Sequence, residues 1–444
     1  MGSGDEVLTS IEICAGAGGQ AAGLHEAGFR HLAMVEIDRH AAESLRTNVE
    51  TRAGWRPGKG ETVEPLTVAD YGRVLTADVN DFKPFQEFTD LGPGELALLA
   101  GGVPCPPFSV AGKQLGQEDE RDLFPRMLDL VEEILPRAVL IENVRGLLEP
   151  EDKFAPYRAQ ILDRLDAMGY AYCGWRVLEA ADYGVPQLRP RALLVMIRKD
   201  CYRGFEWPAP QEQKTTVFDV LDTSMRARYG IGRRSVPGLE DEALRAAARQ
   251  WYAEWKETAR KHADVGPTLV GGSRKHGGAD LGPTRAKKAW LLQGVDAMGV
   301  ANDKDDPNVA RDLLGPKGPM LTVAQAALIQ GFPEDWTFTG GKTARYRQVG
   351  NAFPPPVARA VGEAIAEALR RTGDVHEPPT LPHRVPAELG AGGAGVRRIR
   401  AQRRPVAPPG QDSLLSAAPA PAAAPAPVPA PAAVPAPAAT AGKP

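Results

Sequence analysis

The apolar positions of the first half of the chain fall into short runs that alternate with amphipathic stretches. Ile11-Glu12-Ile13-Cys14 reads as a short buried strand, followed by a glycine-rich turn and a helix over 21–27. A second strand is expected over 31–37 and a second helix over 40–48. ELALLA at 95–100 and AVLI at 138–141 are further strand-length runs, each leading into a polar loop, and 122–135 between them has helical spacing. Residues 191–198 make another strand. Strands alternating with helices predict a parallel, doubly wound α/β sheet covered on both faces. Ligands of such sheets sit beyond the carboxyl ends of the strands. The glycine-rich turn, Glu36, the Pro104-Cys105 loop and Glu142-Asn143 all fall at those ends.

After residue 200 the alternation stops. Residues 201–320 mix aromatic, glycine and basic segments, which predicts a second domain. Helical spacing over 240–260, with Trp251 and Trp255, reads as packing rather than base stacking. Helical character returns over 321–331 and 356–369. From 373 the chain thins out, and 417–444 is almost pure Ala-Pro repetition. Proline excludes a helix and alanine offers little to bury, so an extended disordered tail is expected.

Composition narrows the picture. The chain has 444 residues, of which 25% are charged, and its net charge of −3 gives no bulk attraction to nucleic acid. Any such contact needs local basic patches. Cys14, Cys105, Cys173 and Cys201 are scattered and form no CxxC pair, which argues against a disulfide framework and a metal site. The amino terminus lacks a signal-peptide pattern, and no apolar run approaches the roughly 20 residues of a membrane helix. A soluble, cytoplasmic protein with free thiols is expected.

Four segments carry candidate chemistry. Gly16-Ala17-Gly18-Gly19 lets backbone approach a ligand at a helix amino end, with Glu36 placed to accept from ribose hydroxyls. Alone, that pair also fits a generic nucleotide fold such as a dehydrogenase. Gly101-Gly102-Val103-Pro104-Cys105-Pro106-Pro107-Phe108-Ser109 is more telling. Most free cysteines are inert core filling, but a thiol in a proline-stiffened loop at a cleft mouth is a candidate nucleophile for an electron-poor double bond. Glu142, shielded at the next strand end, could carry a raised pKa and share a proton, or be a simple helix-start charge. Arg189 and Arg191 would share one face of a strand, as base contacts or as solvated surface residues.

In order and spacing these segments resemble the DNA (cytosine-5)-methyltransferases over nearly all of 9–370. The matching motifs are CAGAGG at 14–19, VEID at 35–38, ADVNDF at 77–82, GGVPCPPFS at 101–109, ENVRGLL at 142–148, QLRPR at 187–191 and RQVGNAFPPPVA at 347–358. The resemblance implies a Rossmann-like catalytic domain over 1–200 and 321–372 that binds S-adenosyl-L-methionine. It also implies a smaller mixed target-recognition domain over 201–320 and a last helix packed back on the first domain; the Ala/Pro-rich tail takes 373–444. Cys105 is implied to add to carbon 6 of a flipped-out cytosine, and Glu142 to hold N3 and the exocyclic amine. Arg189 and Arg191 are implied to support the base and its phosphate. Glu36 with Ile37 would hold the cofactor ribose, and Asp78 with Val79 the adenine edge. Cys14, Ala15, Gly16, Gly18, Gly19, Pro104, Asn351 and Ala352 complete the cofactor site. A loop after the nucleophile, carrying Ser109, Lys113 and Arg121, would close over DNA.

Two positions depart from the family pattern: Cys14 stands where phenylalanine is common, and Pro106 where glutamine is frequent. Arg274, Lys275, Arg285, Lys287 and Lys288 flank a glycine-rich segment in the recognition region and are candidate DNA contacts, or a solvated basic surface. Double-stranded DNA is the implied substrate of a monomeric enzyme, with a cognate restriction endonuclease as a possible partner. Transfer RNA as substrate, or a catalytically silent DNA-binding relative, are the competing readings.

Overall fold

The computed structural model describes residues 6–55, 71–104, 122–233, 236–271, 279–302 and 308–384. Its centre is a seven-stranded sheet of β1 (Leu8–Ile13), β2 (Phe29–Glu36), β3 (Arg73–Thr76), β4 (Leu98–Gly101), β5 (Ala138–Val144), β6 (Tyr170–Glu179) and β7 (Pro190–Arg198). The order is β3-β2-β1-β4-β5-β7-β6. The first five strands pair in parallel, as expected. The wholly parallel sheet is corrected at one edge, because β7 runs antiparallel between β5 and β6. Its partner β6 follows directly in sequence before it, so a tight connection returns the chain without a crossover. Pairing register slips between Tyr172 and Gly174, which bends this outer strand.

Alternate residues of each strand face opposite layers. On β5, Val139 and Ile141 join the cluster formed with α4 (Phe124–Ile134) and α5 (Ala155–Ala167). Ala138 and Leu140 turn to the cluster formed with α1 (Gly19–Glu26) and α12 (Pro355–Arg370). Both faces are therefore covered, the condition for apolar runs without polar alternation. The last helix does pack back on the first. At that crossing Gly23 lies against the backbone of Pro355, and an added Cβ at Gly362 would sit 2.8 Å from Ala27. Arg137 fastens the same corner, donating to Glu6 at 2.5 Å and to the Leu369 carbonyl at 2.9 Å.

Residues 201–320 contribute α6 (Val217–Arg228), α7 (Glu242–Lys261), α8 (Thr284–Leu292) and the short α9 (Val309–Asp312). A single apolar cluster runs from Met34 and Leu45 on the sheet side to Tyr229, Trp255 and Trp290. Trp255 is buried and Trp251 packs beside it, as their spacing predicts. The chain then forms α10 (Val323–Gln330) and α11 (Lys342–Asn351) before α12. Arg228 of α6 ties this layer together, donating to Gln325 at 2.6 Å and to the Met320 carbonyl at 2.8 Å.

The tail expected from 373 is ordered through 384. His376 N–H donates to the Tyr202 carbonyl at 2.9 Å, Leu381 is buried, and Arg384 pairs with Asp166 at 2.6 Å. The Ala-Pro segment lies outside the described residues. Among the described residues no helix is long and apolar enough to cross a membrane, and no group of three His, Cys, Asp or Glu could hold a metal.

Candidate active site

A cavity of about 730 Å³ opens beyond the carboxyl ends of the parallel strands, where the sheet topology places a ligand. The turn after β1 forms its floor. Gly16 takes φ +55° and has nothing within 4 Å of an added Cβ, so a ligand can approach its backbone closely. Gly18 does a different job and does not line the cavity. At φ +88° it begins α1, and an added Cβ would collide with Leu45 and Trp336. Gly19 lines the cavity but is pressed against the Phe353 carbonyl. Cys14 lines the wall in a left-handed conformation, and burial followed by the Glu36 charge pushes its thiol up to about 12. It is an apolar contact at neutral pH, not a nucleophile.

The second strand supplies a carboxylate at the cavity edge. Glu36 accepts from Gly16 N–H and from Asp38 N–H, each at 2.7 Å, which fixes both oxygens at the cavity edge. Burial raises its pKa despite those bonds. Ala15, Ile37, Asp78, Val79, Pro104, Asn351 and Ala352 also line the cavity.

At the other end stands Glu142, near the close of β5. Its Oε1 receives Arg191 Nε at 2.8 Å, and both side chains are mostly buried. Burial raises the Glu142 pKa, with Arg191 and Arg189 opposing. Gly102 leaves room for this carboxyl, since an added Cβ would sit 3.0 Å from Oε2. Asn143 ties the same strand end to the Val103 carbonyl at 2.9 Å. Leu123 N–H donates to the Pro104 carbonyl at 3.2 Å, so the two ends of the segment carrying Cys105 meet at the cavity rim. Cys105, Ser109, Lys113 and Arg121 themselves lie outside the described residues.

Arg189 is a correction. Its guanidinium is buried and donates to the carbonyls of Leu269 at 2.8 Å, Gly350 at 2.8 Å and Ala352 at 2.9 Å. Burial pulls its pKa down to about 9. Those three bonds make it a clamp between chain segments, not the base or phosphate contact expected. Beside it Gln187 accepts from Leu269 N–H at 2.9 Å and donates to Gln330 at 2.5 Å.

Sequence reasoning missed Glu12, Gln20 and Arg347. Glu12 lies mid-strand between Ile11 and Ile13, buried and lining the cavity, and neither carboxyl oxygen has a hydrogen-bond partner. Gln20 Nε2 is likewise buried without one. The signal was available: a charged residue inside an apolar strand whose neighbours all point into core is out of pattern. Among the described residues five carboxyls (Glu12, Glu36, Asp38, Asp78 and Glu142) line the cavity, against the single guanidinium of Arg347. Such a lining fits a ligand that carries positive charge.

Of the basic candidates, Arg285 and Lys288 are exposed on α8, away from the cavity. Lys287 is engaged by Asp280 at 2.8 Å, which discounts it as a free phosphate contact. Arg274 and Lys275 lie outside the described residues.

A doubly wound sheet with one reversed strand and an acid-lined cavity at its strand ends is the architecture of a Rossmann-like methyltransferase. The chain belongs to the C-5 cytosine-specific DNA methylases, whose family model matches residues 8–58 and 69–367. It is 46% identical over 368 residues to the Type II methyltransferase M.NaeI of Lentzea aerocolonigenes, covering 83% of this chain and 76% of that protein. It is 41% identical to M.NgoMIV of Neisseria gonorrhoeae, covering 82% of this chain and 99% of that one. Among solved structures, a prophage-encoded protein of E. coli described as a DNA modification methyltransferase shares the fold at TM-score 0.51 and 20% identity, over 82% of this chain and 100% of that one.

Proposed function

We propose that the chain methylates carbon 5 of a cytosine in double-stranded DNA with S-adenosyl-L-methionine as donor, as the modification partner of a restriction endonuclease. The observation that carries this reading is the two-ended cavity. Glu36 and Asp78 stand at a nucleoside-sized end, and the Glu142–Arg191 pair stands at the other, beside the residue that precedes Cys105. The donor set fits the cofactor: fixed carboxylates suit hydroxyl and amine donors, and the acid-rich lining suits a sulfonium. When bound, that group supplies an electrophilic methyl on sulfur.

The chain's own residues do the rest. The Cys105 thiolate forms a bond to carbon 6, and Glu142, whose pKa burial raises, gives a proton to N3. Electron density thereby moves to carbon 5, which otherwise is a poor nucleophile. Once carbon 5 carries the methyl, loss of its proton breaks the bond to Cys105, and the N3 proton returns to Glu142. Arg191 holds the Glu142 carboxyl in one orientation. The base is unreachable in a duplex and must be flipped out, at a few kcal/mol offset by the pocket. Residues 201–320, with Arg285 and Lys288, form the region that reads DNA, and the enzyme works as a monomer.

The test offers duplex DNA and transfer RNA with labelled cofactor, followed by bisulfite sequencing of the DNA. Label is expected in DNA at one short recognition site, and Cys105→Ala should lose at least about 10⁴-fold in turnover. Label entering only transfer RNA, or an alanine variant as active as the original, would overturn the reading.

A further inference from the structure

Arg347 is the odd charge of the cavity wall. Among the described residues it is the one guanidinium of the lining, yet none of the five carboxyls there comes within ion-pair range of it. Nearby basic side chains are engaged instead. Arg191 meets Glu142 at 2.8 Å, and Arg189 meets three carbonyls. Lys342 donates to the Val300 carbonyl at 3.1 Å and to Asn302 Oδ1 at 2.8 Å. A guanidinium carries five donors and stays charged, so one left without an acceptor is set for an anion from outside. On α11, Arg347 falls between Ala344 and Asn351 on the face toward the cavity, at spacings of three and four residues. Its other neighbour is the recognition region. A Cβ built on Gly271 would lie 3.3 Å from Arg347 Cγ, and one built on Gly350 would lie 2.6 Å from Gly271 N. Arg189 holds the same seam, through Leu269 on one side and Gly350 on the other. Arg347 is half-buried where the cavity wall meets the chain leading to Arg274 and Lys275.

We propose that Arg347 binds a backbone phosphate of the DNA strand whose cytosine enters the cavity. The inference rests on the duplex-DNA reading of the protein. A base that swings out of the helix turns about its own backbone, so the flanking phosphates must be held at the mouth of the pocket. Such contacts fix register and orientation without reading sequence, and a planar guanidinium fork matches phosphate oxygens. The rival anion is the cofactor's carboxylate. The charges felt at Glu12, Cys14 and Glu36 come from one another and from Asp38 and Asp78, not from Arg347. The guanidinium therefore stands apart from the glycine turn and beside the recognition region, which favours the phosphate.

The experiment is fluorescence anisotropy of the full chain, saturated with S-adenosylhomocysteine, on a duplex carrying the site that bisulfite sequencing locates. Arg347→Met is expected to weaken DNA binding by roughly 10- to 100-fold and to cut the salt slope by about one, the mark of a single phosphate. Affinity for S-adenosylhomocysteine, read by calorimetry, should move by less than about twofold. Arg347→Lys keeps a charge but not the fork, so it should restore the slope while recovering only part of the affinity. Arg347→Gln repeats the slope measurement should the methionine variant fail to fold. A loss of about tenfold in S-adenosylhomocysteine affinity with the DNA slope unchanged would make the cofactor carboxylate the anion and overturn the proposal. Unchanged slope and unchanged affinities would overturn it as well, leaving a solvated side chain. A wild-type chain that neither binds nor methylates any duplex would overturn the duplex-DNA reading and this inference with it.

Discussion

The strand-end cavity and the helical region over 201–320 share one apolar cluster but are built on opposite terms. In the cavity, polar side chains are held in place and left incomplete. Glu36 is pinned by two backbone N–H groups, Glu142 by Arg191, and among the described residues both Glu12 oxygens and Gln20 Nε2 have no hydrogen-bond partner. In the helical region, polar groups mostly finish the packing. Tyr229 donates to the Leu313 carbonyl at 2.9 Å, Tyr252 to Asp222 at 2.5 Å, and Arg228 bridges to the α10 side. One region spends stability on a ligand that completes it, and the other closes on itself. The contrast teaches where polar groups are left for a ligand to complete: in the cavity, whose lining joins strand ends to Arg347, Gln348 and Asn351 of α11. Arg189 and Gln187 are the joint between the two regions.

The largest expected effect lies in the cavity. Glu142→Gln should lower turnover by about 10²–10⁴-fold with cofactor affinity unchanged, because a shared proton is lost and no packing is. A loss below tenfold in single-turnover assays would erase the distinction drawn for the cavity. Next comes the joint. Arg189→Met leaves three buried carbonyls without their charged donor, which should cost about 3 kcal/mol and lower the thermal midpoint by several degrees. An unchanged midpoint in calorimetric melting would return Arg189 to a catalytic role. The smallest effect belongs to the helical surface. Arg285→Ala with Lys288→Ala should weaken DNA binding evenly across sequences and reduce the salt slope by about two, without touching cofactor affinity. Lys287→Ala should do less, as its charge is already paired with Asp280. A slope that stays put in fluorescence titrations would remove α8 from the DNA surface.

Legibility followed the same division. The apolar runs of β1, β2, β4 and β5 announce themselves because both faces of those strands are covered. β6 did not, since half-buried residues and the slip at Gly174 break its period. β3 is four residues long at the sheet edge, with no fully buried member. α11 buries only Tyr346, Gln348, Val349 and Gly350, so its sequence reads as a motif rather than a helix. Of the cavity lining, the glycine turn and Glu36 were legible from local signatures, whereas Asp78, Val79 and Asn351 came only with the family motifs. Glu12 was hidden inside an apolar tripeptide. Two arginines at i and i+2 look equivalent in sequence, whereas Arg191 pairs with Glu142 and Arg189 meets carbonyls from distant segments.

The corner where α12 crosses α1 has a further consequence. Arg137 touches Glu6 and the Leu369 carbonyl at once, so the first strand and the last helix meet at a single guanidinium. The catalytic half is therefore a closed ring in connectivity, opened at one point. During synthesis the ribosome must release nearly the whole ring before the layer under β1 is covered, which leaves Leu24 and Phe29 waiting for Val357 and Ile365.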